Sequence, residues 1–183
     1  MPNTAGSEGW TPEQIFDTIK QKKQEKKAWD KIKMEKIASF TVNHETLLPG
    51  LYISRVDGDI TTYDLRTRRP NTDDLMDHST MHTCEHMFAT YIRNSYLKDD
   101  IIYFGPMGCQ TGFYLLVRNA DDEKVLDVLK TACRDVLAHE GEVFGKSSVE
   151  CGNYRTLDLQ KAKDECARYL KILEGVDAKN LQY

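Results

Sequence analysis

Two short runs of alternating apolar and polar residues give the clearest local pattern in the chain. Leu51-Tyr52-Ile53-Ser54-Arg55-Val56 and Ile60-Thr61-Thr62-Tyr63-Asp64-Leu65-Arg66 flank Asp57-Gly58, which predicts two antiparallel strands around a tight turn. Residues 81–97 follow a helical period. Ile101 to Phe104 is a short apolar strand that runs into the turn Gly105-Pro106-Met107-Gly108, and Gly112-Phe113-Tyr114-Leu115-Leu116-Val117 is a further strand. Asp121-Asp122-Glu123 opens a helix with Val125, Leu126, Leu129, Ala132, Cys133, Val136 and Leu137 on its buried side, and its acids suit the positive end of the helix dipole. A last helix covers roughly residues 157–174. Strands and helices alternate, but the hairpin is antiparallel. The pattern therefore predicts an α+β fold, a two-layer α/β sandwich with a mainly antiparallel sheet packed by helices, rather than a doubly wound parallel sheet.

The leading segment has a different character. Thr11-Pro12-Glu13-Gln14 reads as a helix start, with Thr11 as N-cap, Pro12 in the first helical position and Gln14 closing a capping box. Ile15, Phe16, Ile19, Trp29 and Ile32 leave a broken apolar stripe, interrupted between Lys20 and Lys27. Residues 1–36 hold eight lysines against six acids, a net of +2, which leaves −6 for the remainder of a chain whose total is −4. This predicts an N-terminal helical extension over residues 1–36, with one or two helices in 12–36, ahead of a body domain of residues 37–183. The acids interspersed among the lysines argue against a nucleic-acid or membrane contact.

Composition narrows the class further. The 183 residues, 40% of them hydrophobic, suffice for one ordinary core beyond the extension. No apolar run approaches the ~20 residues of a bilayer span, and the first residues lack a basic stretch followed by an apolar one. Five cysteines, an odd number without secretory context, argue for reduced thiols and a cytoplasmic location.

The sharpest chemical signal is His82-Thr83-Cys84-Glu85-His86. On a helix, positions i and i+4 share a face, so the two imidazoles can chelate one divalent metal. Glu85, one turn from His82, stands where a carboxylate can move protons beside that metal. The order H-x-x-E-H is also that of the inverted zinc peptidases, which use a downstream glutamate as third ligand. A metal-stabilised, non-catalytic binding module is the other alternative. Two histidines leave the ligand shell unfinished. A cysteine or carboxylate elsewhere must complete it, and Cys151-Gly152 stands out because glycine lets the backbone approach closely. Cys133 and Cys166 fall at apolar helix spacings and read as core. Cys84 lies about 200° round the helix from His82, given ~100° per residue, and points away from the metal face. Cys109, in the glycine-flanked turn Pro106-Met107-Gly108-Cys109-Gln110-Thr111-Gly112, is either a reactive thiol cradled by bared N–H groups or an ordinary turn residue.

Taken together, the segments His82-Thr83-Cys84-Glu85-His86-Met87-Phe88-Ala89, Pro106 through Tyr114, and Cys151-Gly152 resemble the S-ribosylhomocysteine lyase (LuxS, autoinducer-2 synthase) family in order and approximate spacing. Ser39-Phe40, His44, Tyr63-Asp64-Leu65-Arg66 and Pro70-Asn71 match as well, so the resemblance covers about residues 37–175. It implies the LuxS/MPP-like metalloenzyme fold and cleavage of S-ribosyl-L-homocysteine to L-homocysteine and (S)-4,5-dihydroxypentane-2,3-dione, the autoinducer-2 precursor of quorum sensing. His82, His86 and Cys151 match the family's metal ligands, for one divalent metal per subunit, usually Fe2+ in the cell with Zn2+ or Co2+ able to substitute. Glu85 and Cys109 match its acid/base residues, and Ser39, His44 and Arg66 its substrate-holding residues. The resemblance also implies a homodimer with active sites at the interface. The family commonly has Asp-Ile-Ser before Pro-Met-Gly-Cys, where this chain has Tyr103-Phe104-Gly105, and an aliphatic residue where this chain has Cys84.

Overall fold

The computed structural model describes residues 11–29, 37 and 40–183, and the chain divides into two units, Met1–Ile37 and Ala38–Tyr183. In the first, Thr11 N–H donates to Gln14 Oε1 (2.8 Å) and Gln14 N–H to Thr11 Oγ1 (3.3 Å). This reciprocal pair satisfies two of the orphan donors at the start of helix α1 (Pro12–Trp29). The expected continuation of helix through residues 30–36 lies outside the described residues.

In the second unit, β1 (Gly50–Asp57) and β2 (Ile60–Arg66) form the expected hairpin, turning at Gly58 with φ +62°. Helix α2 (His78–Arg93) then leads to β3 (Ile101–Pro106) and β4 (Gly112–Arg118), followed by α3 (Asp122–Ala138), a 3-10 turn over Tyr154–Thr156, and α4 (Leu159–Glu174). The sheet order is β1-β2-β4-β3, antiparallel throughout. The class is α+β, as the sequence pattern predicts.

Register places Leu51, Leu65 and Phe113 in one cross-strand row and Ile53, Tyr63 and Leu115 in the next. These residues, with Phe104 and Val117, pack against Met87, Phe88 and Ile92 of α2, Val125, Leu129, Cys133 and Val136 of α3, and Cys166, Tyr169 and Leu173 of α4. Each large apolar side chain fully buried here contributes about 1.5–3 kcal/mol. The alternate residues Tyr52, Thr62, Asp64, Arg66, Tyr114 and Leu116 point to the opposite sheet face. At the edge beside β1, Ile53 N–H donates to the Leu181 carbonyl (2.7 Å) and Tyr183 stacks on Tyr52 with ring centroids 5.0 Å apart, which covers an otherwise open strand edge.

Three boundaries differ from expectation. Helix α2 begins at His78, not 81, because Asp77 caps it by accepting from Thr80 N–H at 2.7 Å. It ends at Arg93 rather than 97, where Asn94 and Ser95 N–H groups turn back to the Tyr91 and Ile92 carbonyls. Strand β3 carries on through Gly105 and Pro106, which pair with Tyr114 and Phe113. Proline is tolerated there because β3 is an edge strand.

Candidate active site

Helix α2 brings His82 and His86 onto one face, ring centroids 4.8 Å apart and nearly perpendicular. The loop after α3 delivers Cys151, and one ligand atom from each of the three residues lies within 4.8 Å of the others. Hydrogen bonds fix both imidazole tautomers. His86 Nδ1 lies 2.7 Å from the Phe144 carbonyl, which can only accept, so Nδ1 carries the hydrogen and Nε2 keeps its lone pair. Thr156 Oγ1 donates to the Asn153 carbonyl at 3.1 Å, which leaves its lone pair for His82 Nδ1–H at 3.2 Å. His82 Nε2 then faces Cys151 Sγ at 3.4 Å, and Asn153 N–H donates to the same sulfur at 3.4 Å. Burial, then the neighbouring His86 and His78, holds the His82 pKa below its ordinary value, which favours the neutral ligand form. The two imidazole Nε2 atoms and one sulfur form a donor set that could hold a divalent ion. The third group within reach of the two histidines is thus a thiol sulfur, where the inverted zinc peptidases use a glutamate.

Glu85, half-buried on α2, has no hydrogen-bond or ion-pair partner among the described residues. Burial raises its pKa, against a smaller lowering pull from His86, so the carboxyl stands free beside the ligands and able to exchange a proton. Cys84 is buried in the core, as its helical angle predicts, together with Cys133 and Cys166.

Cys109 belongs to a second cluster. On the sheet face opposite α2, α3 and α4, Arg66 donates from Nη2 to Asp64 Oδ2 (2.5 Å), and from Nη1 to Thr111 Oγ1 (2.5 Å) and Cys109 Sγ (3.6 Å). Cys109 Sγ and Thr111 Oγ1 are 3.0 Å apart. The turn is closed by Met107 N–H to the Gly112 carbonyl and Gln110 N–H to the Met107 carbonyl, with Gln110 at φ +64°, and its cysteine stays exposed. Burial raises the Asp64 pKa, opposed by Arg66, the Tyr183 hydroxyl and His44. Burial works against the Arg66 charge, but Asp64 and then Cys109 outweigh it and its pKa lies above the ordinary value. Asp64 Oδ1 and Arg66 Nε are buried without a hydrogen-bond partner among the described residues.

The residues singled out by sequence therefore fall into two groups: His82, Glu85, His86 and Cys151 in one, Arg66 and Cys109 with nearby His44 in the other. No hydrogen bond or ion pair joins the two groups among the described residues. Ser39 lies outside the described residues. Thr111, Thr156 and the Phe144 carbonyl were not anticipated, because each reaches a partner remote in sequence; Asp64, quoted only within the Tyr63–Arg66 segment, pairs with Arg66 two residues away. His78, stacked 5.6 Å from His82, was missed as well: it stands four residues before His82 but outside a helix expected to begin at 81.

A family model described as S-ribosylhomocysteinase (LuxS) matches residues 37–180. The chain belongs to the LuxS family. A protein of Finegoldia magna named S-ribosylhomocysteine lyase is 43% identical over 155 residues, which cover 82% of this chain and 99% of that protein. Namesakes from Desulfotalea psychrophila and Clostridium beijerinckii are each 45% identical, again over 82% of this chain and 99% of theirs. The LuxS match begins at residue 37, so residues 1–36 precede it. Within the LuxS body, the departure Tyr103-Phe104-Gly105 has a steric logic: a Cβ on Gly105 would lie 2.0 Å from the Tyr103 hydroxyl.

Proposed function

We infer that this chain is an S-ribosylhomocysteine lyase, releasing L-homocysteine and (S)-4,5-dihydroxypentane-2,3-dione, and that residues 37–183 form the lyase domain while 1–36 are an extension to it. The observation that carries the reading is the His82, His86 and Cys151 donor set with an unpartnered Glu85 on the same helix. The metal is one divalent ion per subunit, Fe2+ in the cell, with Zn2+ or Co2+ able to replace it. Its contribution when bound is to polarise a carbonyl oxygen as a Lewis acid.

The remaining chemistry falls to the side chains. Sulfur on C5 can leave only when a carbonyl stands at C3, so the ribose carbonyl must migrate from C1 in two enolisation steps. Each step removes a proton from one carbon and delivers one to its neighbour. Glu85 and Cys109 are the groups that take and return these protons. In the elimination the C4 proton is removed, the C5–S bond breaks, and the electron pair leaves on sulfur, which is then protonated as homocysteine thiol; the C4 enol left behind loses its hydroxyl proton and gains one at C5 to give the dione. Arg66, His44 and Ser39 hold the substrate. The two separate clusters support a homodimer in which the metal cluster of one subunit meets Arg66, His44 and Cys109 of the other. None of the described helices is long and apolar enough to cross a membrane.

The test is incubation of metal-loaded protein with S-ribosylhomocysteine and titration of the freed thiol. Cys109→Ala and Glu85→Gln should retain stoichiometric metal and lose at least ~100-fold in rate, whereas Cys151→Ala should lose metal and activity together. Metal loss in Glu85→Gln, or undiminished turnover in Cys109→Ala, would overturn the assigned roles.

A further inference from the structure

His86 is not oriented by α2 alone. Its Nδ1–H points at the Phe144 carbonyl, and Gly145, at φ +66°, packs so closely that a Cβ there would meet His86 Nδ1 at 3.1 Å. Two side chains fix the turn that carries this carbonyl. His139 caps the C-terminus of α3, and its Nε2 lies 2.9 Å from the Glu142 carbonyl. A carbonyl only accepts, so Nε2 carries the hydrogen, and in the neutral ring Nδ1 is then an acceptor. The Tyr91 hydroxyl donates to that Nδ1 at 2.8 Å. Tyr91 sits on α2, five residues beyond His86. The Phe144 ring is wedged edge-on against both, with centroids 5.4 Å from Tyr91 and 4.7 Å from His139. Helix α2 thus carries the ligand and, through Tyr91 and His139, anchors the turn that aims it.

We propose that Tyr91 and His139 are positioning residues for the metal centre, holding the Phe144 carbonyl and through it the tautomer and ring plane of His86. The proposal rests on the reading of His82, His86 and Cys151 as ligands. Outer partners of ligating histidines typically govern 10–100-fold of metal affinity. The role differs from simple packing because the His139 ring must offer one donor and one acceptor on opposite sides, which an apolar side chain of equal bulk cannot do.

The experiment uses the full chain loaded with Co2+, measuring the visible ligand-field spectrum, the rate of cobalt release to a chelator, and Tm. Tyr91→Phe and His139→Leu should release cobalt roughly 10-fold faster or more and shift the ligand-field bands. His139→Gln, whose amide can donate to Glu142 and accept from Tyr91, should recover much of both. Tyr96→Phe is the control, since that hydroxyl also reaches α3, at the Lys124 carbonyl (3.2 Å) and Asp127 (3.1 Å), but away from the ligands; it should leave spectrum and release unchanged. If Tyr91→Phe and His139→Leu lower Tm while spectrum and release stay as in the wild type, the two residues only pack and the inference fails. If Cys151→Ala keeps cobalt and its sulfur charge-transfer band, the ligand assignment itself falls, and that outcome is read on a different variant.

Discussion

Gly105 and Gly112 lie on neighbouring strands, yet a methyl group added to each meets different resistance. At Gly112 a Cβ would stand 2.3 Å from the Leu65 carbonyl oxygen. That oxygen is backbone, held in the β2–β4 ladder where Gly112 pairs with Arg66, so the strands must part. Gly112→Ala should cost about 1–3 kcal/mol, a Tm drop of roughly 2–12 °C for a chain of this size, and lose turnover as Arg66 shifts from Cys109. At Gly105 the obstacle is the far end of Tyr103, whose side chain is half-exposed and can swing into solvent. Gly105→Ala should stay within about 0.5 kcal/mol of wild type. Thermal unfolding of both decides, and equal losses would show the steric reading to be wrong. At this scale the metal ligands on α2 were legible because their relation is local, a spacing of four on a helix. The Asp64–Arg66–Thr111–Cys109 group was only half legible, since Thr111 reaches Arg66 from 45 residues away and no periodicity encodes that pairing.

Helix α2, which carries two of the candidate metal donors, depends on its first turn. Asp77 caps α2 through Thr80 N–H and also pairs with Lys161 at the start of α4 (2.6 Å). The Lys161 ammonium, then the Thr80 amide, lowers the Asp77 pKa from 3.8 to about 2. The charged carboxylate is the form favoured by folding. Its stabilisation is therefore fully present above the unfolded pKa near 3.8 and is lost as pH falls through about 2. Asp77→Asn keeps a cap but not the charge, so its unfolding free energy should fall less steeply than wild type between those two values. Asp77→Ala should in addition lose about 1 kcal/mol at neutral pH. Urea unfolding across that range checks both, and an unchanged acid slope in Asp77→Asn would remove Asp77 as the source. The same residue explains why α2 was placed three residues late: His78, Ser79 and Thr80 are polar, and apolar periodicity begins only at Met81. The strands and α3 were legible because their burial alternates or repeats cleanly, whereas Pro106 resembles a turn until the edge position of β3 is known.

At the scale of the whole molecule, the proposed homodimer concerns two groups of residues. One chain carries the candidate metal donors His82 and His86 with Glu85 on α2, and a second set, Arg66 and Cys109 with His44 acting on Asp64, on the side of the sheet opposite α2, α3 and α4. In the proposed homodimer, which would appose one set to the other, two sites form, each drawing on both chains. This arrangement makes a sharp prediction for mixed subunits. Glu85→Gln inactivates the metal half and Cys109→Ala the other half. In a mixed dimer one site receives both lesions and its twin receives neither. With statistical exchange half the dimers are mixed and half their sites are intact, so two inactive proteins should together recover about 25% of wild-type turnover when sites act independently. A pairing of Arg66→Ala with Cys109→Ala, both lesions in one half, should recover nothing. Exchange is verified by mass-tagged subunits. Full exchange without recovery in the first pairing would mean that Glu85 and Cys109 serve the same chain, with the interface contributing no catalytic group.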